Sequence, residues 1–118
     1  FDNRQNKTNV QKAKIQYSTT QLDLVNKQKE LYTTIETLWL DALNAQQQYA
    51  AAESKVKSSQ TSFDMVSEQF NLGMKNTVEL LTEKNNLQSA RQERVQAKYM
   101  AILDRTLLNF YAGQEIKL

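Results

Sequence analysis

The chain has 118 residues, one domain's worth of length, with no proline, no cysteine, no histidine and only two glycines, and it carries a net charge of +2. A disulfide framework, a thiolate nucleophile, a histidine base and the commonest metal ligands are therefore excluded, and the charge is too small to argue for a nucleic-acid partner. What the composition favours is long uninterrupted helix.

Phe1-Asp2-Asn3 reads as the end of a preceding element followed by a helix cap at Asn3, with Thr8 and Gln11 as a second, weaker start. Because the chain opens on Phe1 and not on Met, it is expected to be a fragment or a processed product. The first helix is predicted over about 4–71. Its poorest stretch is Tyr17-Ser18-Thr19-Thr20, but no breaker interrupts it. From Leu31 the apolar positions become regular: Leu31, Ile35, Leu38, Ala42, Ala45, Tyr49, Ala52, Val56, Ser59, Phe63, Val66 and Phe70 step alternately by four and three. That is a heptad seam, and the small residues in its middle allow close approach of a partner helix. Leu22, Val25, Tyr32, Trp39, Leu43 and Ala50 form a second stripe beside it. Two apolar stripes imply neighbours on two sides, as in a bundle or a closed ring of helices.

A tip is predicted over 72–76. Gly73 is the natural stop for the first helix, since glycine adopts the left-handed cap without a Cβ penalty. Asn76 is the natural start of the second helix, and Glu79, three residues on, completes a variant capping box. The return helix is predicted over about 77–112, with Gly113 as its cap and 113–118 as a tail. One of its faces carries Leu80, Leu87, Ala90, Ala97, Ala101, Leu108 and Tyr111, and another carries Leu81, Val95, Tyr99, Ile102 and Phe110. At about 1.5 Å per residue the helices would span roughly 100 Å and 50 Å, so the second covers only part of the first. The apolar positions from about Val10 to Tyr32 are then left without an intrachain partner, which implies missing chain or missing subunits.

Few residues invite a chemical reading. Glu79 can project toward a pore or a partner, or serve as a capping carboxylate, and the two roles are compatible. Lys75 can bond to a neighbouring helix or sit solvated in the loop. Lys84, Arg91, Lys98 and Arg105 recur every seven residues. With Glu83, Glu93 and Asp104 close by, they read better as a flanking face that pairs with acids of a neighbouring helix than as a phosphate-binding stripe. Trp39 and the tyrosines have the spacing of packing residues. No catalytic, cofactor-binding or metal-binding set is found, so the chain is not expected to be an enzyme.

The run Phe70-Asn-Leu72-Gly73-Met74-Lys75-Asn-Thr77-Val78-Glu79-Leu80-Leu81 resembles the hairpin tip of TolC-type outer-membrane efflux proteins. The flanks agree with it: Leu38-Trp-Leu-Asp-Ala42-Leu and Tyr49-Ala50 upstream, Leu87-Gln-Ser-Ala90-Arg, Ala97-Lys-Tyr99 and Leu107-Leu-Asn-Phe-Tyr-Ala-Gly113 downstream. Phe1-Asp-Asn resembles the end of the strand that leads into the long helix, and Glu115-Ile-Lys-Leu118 stands at or near the family's C-terminus. The resemblance covers nearly the whole chain; no single motif is highly specific, but their order and spacing together are. The resemblance implies an all-α, long antiparallel coiled-coil hairpin, a fragment of an α-barrel tunnel belonging to the second of two repeats. It implies a homotrimer held in the outer membrane by strands that this chain lacks, with this segment in the periplasm of a Gram-negative bacterium. The partners implied are a periplasmic adaptor (membrane fusion) protein and an inner-membrane pump, in an efflux or type I secretion system, with no nucleic acid.

By matching positions, Phe70, Leu72, Gly73, Met74 and Lys75 would contact the adaptor, and Lys75, Glu79 and Thr82 would form the entrance constriction. Lys75 falls where a family arginine can hold the entrance closed, and Glu79 where a ring of carboxylates can form. Phe70 lacks the hydroxyl of the tyrosine that some members carry, and Thr82 replaces a second acidic residue, so one carboxylate ring is expected to be missing. The alternative class is a stand-alone coiled-coil scaffold or adaptor hairpin without a pore.

Overall fold

A computed structural model describes residues 2–117, with the side chains of 2–113. Two helices account for nearly all of it: α1, Asp2–Asn71, and α2, Thr77–Lys117, and no strand occurs among the described residues. The chain divides into two units, Phe1–Thr37 and Leu38–Leu118.

The second unit is an antiparallel helical hairpin built on the predicted seam. Every seam position of α1 from Leu38 to Phe70 is buried or half-buried, and so are Leu80, Leu87, Ala90, Ala97, Ala101, Leu108 and Tyr111 of α2. Its tightest part is a cluster of Val56, Leu87 and Ala90 with Phe63 packed against it; Ala90 is fully enclosed. Ala45 and Ala52 are also buried. These small side chains at the seam let the helices approach closely, and side chains of α1 and α2 then meet beside it. Lys55 Nζ donates to both oxygens of Glu93, at 3.1 and 2.9 Å, and the Arg91 guanidinium donates to the Gln60 amide oxygen at 2.9 Å.

The first unit is a single helical run. Every described side chain from Asp2 to Glu30 is exposed, Tyr32 among the exposed residues that follow, while Leu31 and Ile35 are half-buried. The weak Tyr17–Thr20 stretch stays helical, and Thr19 and Thr20 donate their hydroxyls to the carbonyls of Ile15 and Gln16, each at 2.8 Å. That i−4 bond satisfies a hydroxyl without leaving the helix.

Three boundary expectations need correction. Asn3 is not the cap, because Asp2 and Asn3 are already helical; Phe1 lies outside the described residues. Thr8 does not start a helix either, since its hydroxyl donates to the Arg4 carbonyl at 2.9 Å from within one. Gly113 does not end α2, which runs through it to Lys117, so the expected tail of 113–118 is helical as far as it is described. The physical reason is local. A glycine inside a helix costs only about 1 kcal/mol, and Gln114-Glu115-Ile116-Lys117 that follow contain no breaker.

Candidate functional site at the hairpin tip

The tip between α1 and α2 is closed by different chemistry on its two sides. On the α1 side the backbone does the work. Gly73 has φ of 76°, in the left-handed region. Its N–H donates to the Phe70 carbonyl at 3.0 Å, and the Met74 N–H reaches back to the Gln69 carbonyl at 2.8 Å. This pair of bonds is a Schellman motif, which satisfies carbonyls that the end of a helix would otherwise leave open.

On the α2 side the side chains do it. The Asn76 carboxamide oxygen accepts the Glu79 N–H at 2.8 Å, and the Asn76 N–H donates to Glu79 Oε2 at 3.1 Å. The other carboxylate oxygen, Oε1, faces Lys75 Nζ at 3.7 Å. Both oxygens of Glu79 are thus engaged, and its charge sits in the first turn of α2, where the helix dipole favours an anion.

The structure brings Lys75 and Glu79 together around Asn76. Within the chain, Lys75 is a partly exposed loop lysine whose ammonium lies 3.7 Å from Glu79 in an i,i+4 pair. Thr82 stands one turn further along α2 with its hydroxyl donated to the Val78 carbonyl at 2.8 Å, so its one donor is already used. Phe70 is half-buried at the end of the seam. Leu72, Met74 and Val78 are 71, 70 and 70% exposed, which makes the tip an apolar knuckle beside one ion pair.

Away from the tip, the second stripe of each helix is left uncovered within the chain. Leu22, Val25, Tyr32, Trp39, Leu43 and Ala50 on α1 are exposed, as are Leu81, Val95, Tyr99, Ile102 and Phe110 on α2. Trp39, Leu43 and Ile102 border an open groove of about 550 Å³ between the helices, together with Tyr49, Lys98 and Arg105. Glu53, one turn beyond Tyr49, holds that phenol above its ordinary range, chiefly by hydrogen bonding. Trp39, expected to be a packing residue of the second stripe, is 54% exposed within the chain and flanks this groove. Sequence reasoning did not identify the Lys55–Glu93 and Gln60–Arg91 links. Among the described residues the four-cation face of α2 meets no acid of the hairpin: Arg91 bonds an amide, and the ion pairs involve Lys55 and Lys75.

No described helix is long and apolar enough to cross a membrane. No curated protein and no solved structure matches the chain. A family model described as outer membrane efflux protein matches residues 1–114. Proteins of this family are transport channels, not enzymes, and work as trimers in tripartite efflux systems. With a seam-packed antiparallel hairpin, a glycine-closed tip and a family match over nearly its whole length, the chain belongs to the outer membrane efflux proteins and is a component of an outer-membrane efflux channel.

Proposed function

We propose that this chain forms part of the periplasmic wall of the channel's α-helical tunnel, with the Phe70–Glu79 tip at its entrance. The observation that carries the reading is the pairing of a buried seam with an uncovered apolar stripe on each helix of the hairpin. A hairpin of that kind buries its outer stripes only when further helices stand on both sides, as in a closed wall. The neighbours would come from the remaining parts of a homotrimer.

In this role the channel is a passive conduit. Substrate passes without chemistry, and the work comes from an inner-membrane pump joined through a periplasmic adaptor. Leu72 and Met74, with Phe70, Gly73 and Lys75, form the surface offered to the adaptor, and their exposed apolar character suits such a contact. Lys75, Glu79 and Thr82 line the constriction, with Glu79 supplying its negative charge beside the Lys75 ammonium. Opening is a change in how neighbouring tips pack, biased by the adaptor.

The test is conductance of the intact channel in planar bilayers. Neutralising the entrance by Glu79→Gln keeps the capping geometry available and removes the charge. The expected result is altered cation block and a lower preference for cations; a channel with unchanged block and selectivity would exclude Glu79 from the constriction.

A further inference from the structure

We infer that Asn76 is a positioning residue for the entrance charge: it sets the direction in which Glu79 presents its carboxylate, and so the ion preference of the channel, without carrying charge itself. This rests on the reading of the tip as the entrance. A glutamate on an exposed helix turn ordinarily samples several side-chain rotamers, and its charge is then smeared over the space that they cover. Glu79 is not in that position. Its Oε2 accepts the Asn76 N–H at 3.1 Å, while its own N–H is held by the Asn76 carboxamide oxygen at 2.8 Å. The two bonds close a ring between the residues, so turning the carboxylate away breaks one of them.

Lys75 adds a second constraint. Its ammonium lies 3.7 Å from Oε1, one residue before Asn76, so the cap also fixes which oxygen faces the cation. The Asn76 N–H is present whatever side chain stands there. What the side chain contributes is the reciprocal bond that keeps residue 76 in the non-helical cap conformation and aims that N–H at Glu79. Among the described residues Asn76 makes no hydrogen bond with any side chain but that of Glu79, so Glu79 is the group through which it acts.

The experiment is the reversal potential of the intact channel in planar bilayers under a potassium chloride gradient. Asn76→Ala is expected to move the cation-to-anion permeability ratio at least half of the way toward the Glu79→Gln value. Asn76→Ser, which restores a neutral cap oxygen, is expected to return it to the wild-type value. Asn76→Gly, which has no oxygen to offer but tolerates the cap backbone, should shift the ratio in the same direction by less than Asn76→Ala, and serves if the alanine channel does not assemble. Asn76→Ala placed on Glu79→Gln should change nothing further, because the charge that it positions is gone; a merely structural role would add its own shift. If Glu79→Gln alters selectivity and neither Asn76→Ala nor Asn76→Gly does, the positioning role is overturned and the entrance reading stands. If Asn76→Ala shifts selectivity equally with and without the Glu79 charge, the positioning role is again overturned. If Glu79→Gln itself has no effect, the entrance reading fails and the inference fails with it.

Discussion

The two glycines make opposite predictions for the same substitution. At Gly73 the backbone is in the left-handed region, with φ of 76°, and a Cβ built there meets no atom within 4 Å. The cost of Gly73→Ala is therefore conformational and not steric. A left-handed L-residue costs about 1–2 kcal/mol. The lower entropy of unfolded alanine returns about 0.4–1 kcal/mol, so a net loss of about 1 kcal/mol is expected. At Gly113 the space around a Cβ is equally open, but φ lies outside the left-handed region and the helix continues to Lys117. Gly113→Ala should therefore stabilise, by about 0.5–1 kcal/mol. Urea denaturation of the chain, followed by far-ultraviolet circular dichroism, separates the two. With a slope of about 2 kcal/mol per molar urea, the midpoint moves down by about 0.5 M for Gly73→Ala and up by a similar or smaller amount for Gly113→Ala. A lowered midpoint for Gly113→Ala would mean that this glycine caps α2 after all. An unmoved midpoint for Gly73→Ala would mean that the tip does not use a left-handed residue there.

Two further outcomes follow from the hairpin seam. Leu87 is only 4% exposed against Val56, Ala90 and Phe63, so Leu87→Ala should cost about 2–3 kcal/mol, the low end of the usual range because a two-helix seam can close over the gap. Leu81→Ala, on the uncovered stripe, should stay within about 0.5 kcal/mol in the same denaturation experiment. Lys55→Ala removes the 2.9 Å pair with Glu93, whose partners are both more than half exposed. It should cost about 0.2–1 kcal/mol at low salt, and the difference from wild type should vanish near 1 M salt, where screening acts over about 3 Å.

The seam was readable because heptad spacing is a property of the chain alone: Leu38 through Phe70 declare a face wherever they are placed, and that face is the one buried. The tip was readable for a similar reason. Gly73 and the Asn76–Glu79 pair act over three or four residues, within reach of local rules. Gly113 was misjudged because glycine both caps helices and is tolerated within them, and only the residues beyond it decide. Lys55 and Glu93 are 38 positions apart, so their meeting depends on the register of the hairpin, which periodicity does not specify to the single residue. The face bearing Lys84, Arg91, Lys98 and Arg105 was assigned to acids across a helix contact; which side chains stand opposite Arg91 is again a matter of register. The roles of Phe70, Leu72, Met74, Lys75, Glu79 and Thr82 come from positional resemblance, and the fold supplies their geometry.

The bare run from Asp2 to Glu30 has a thermodynamic consequence of its own. Where no side chain is covered, each turn is kept only by its own hydrogen bonds and by the preferences of its residues, and such a helix comes apart gradually, turn by turn. The Val56–Leu87–Ala90 region, by contrast, gives way as a unit. Warming should therefore erode the one by degrees and melt the other abruptly, so that a single chain shows a sloping transition and a sharp one.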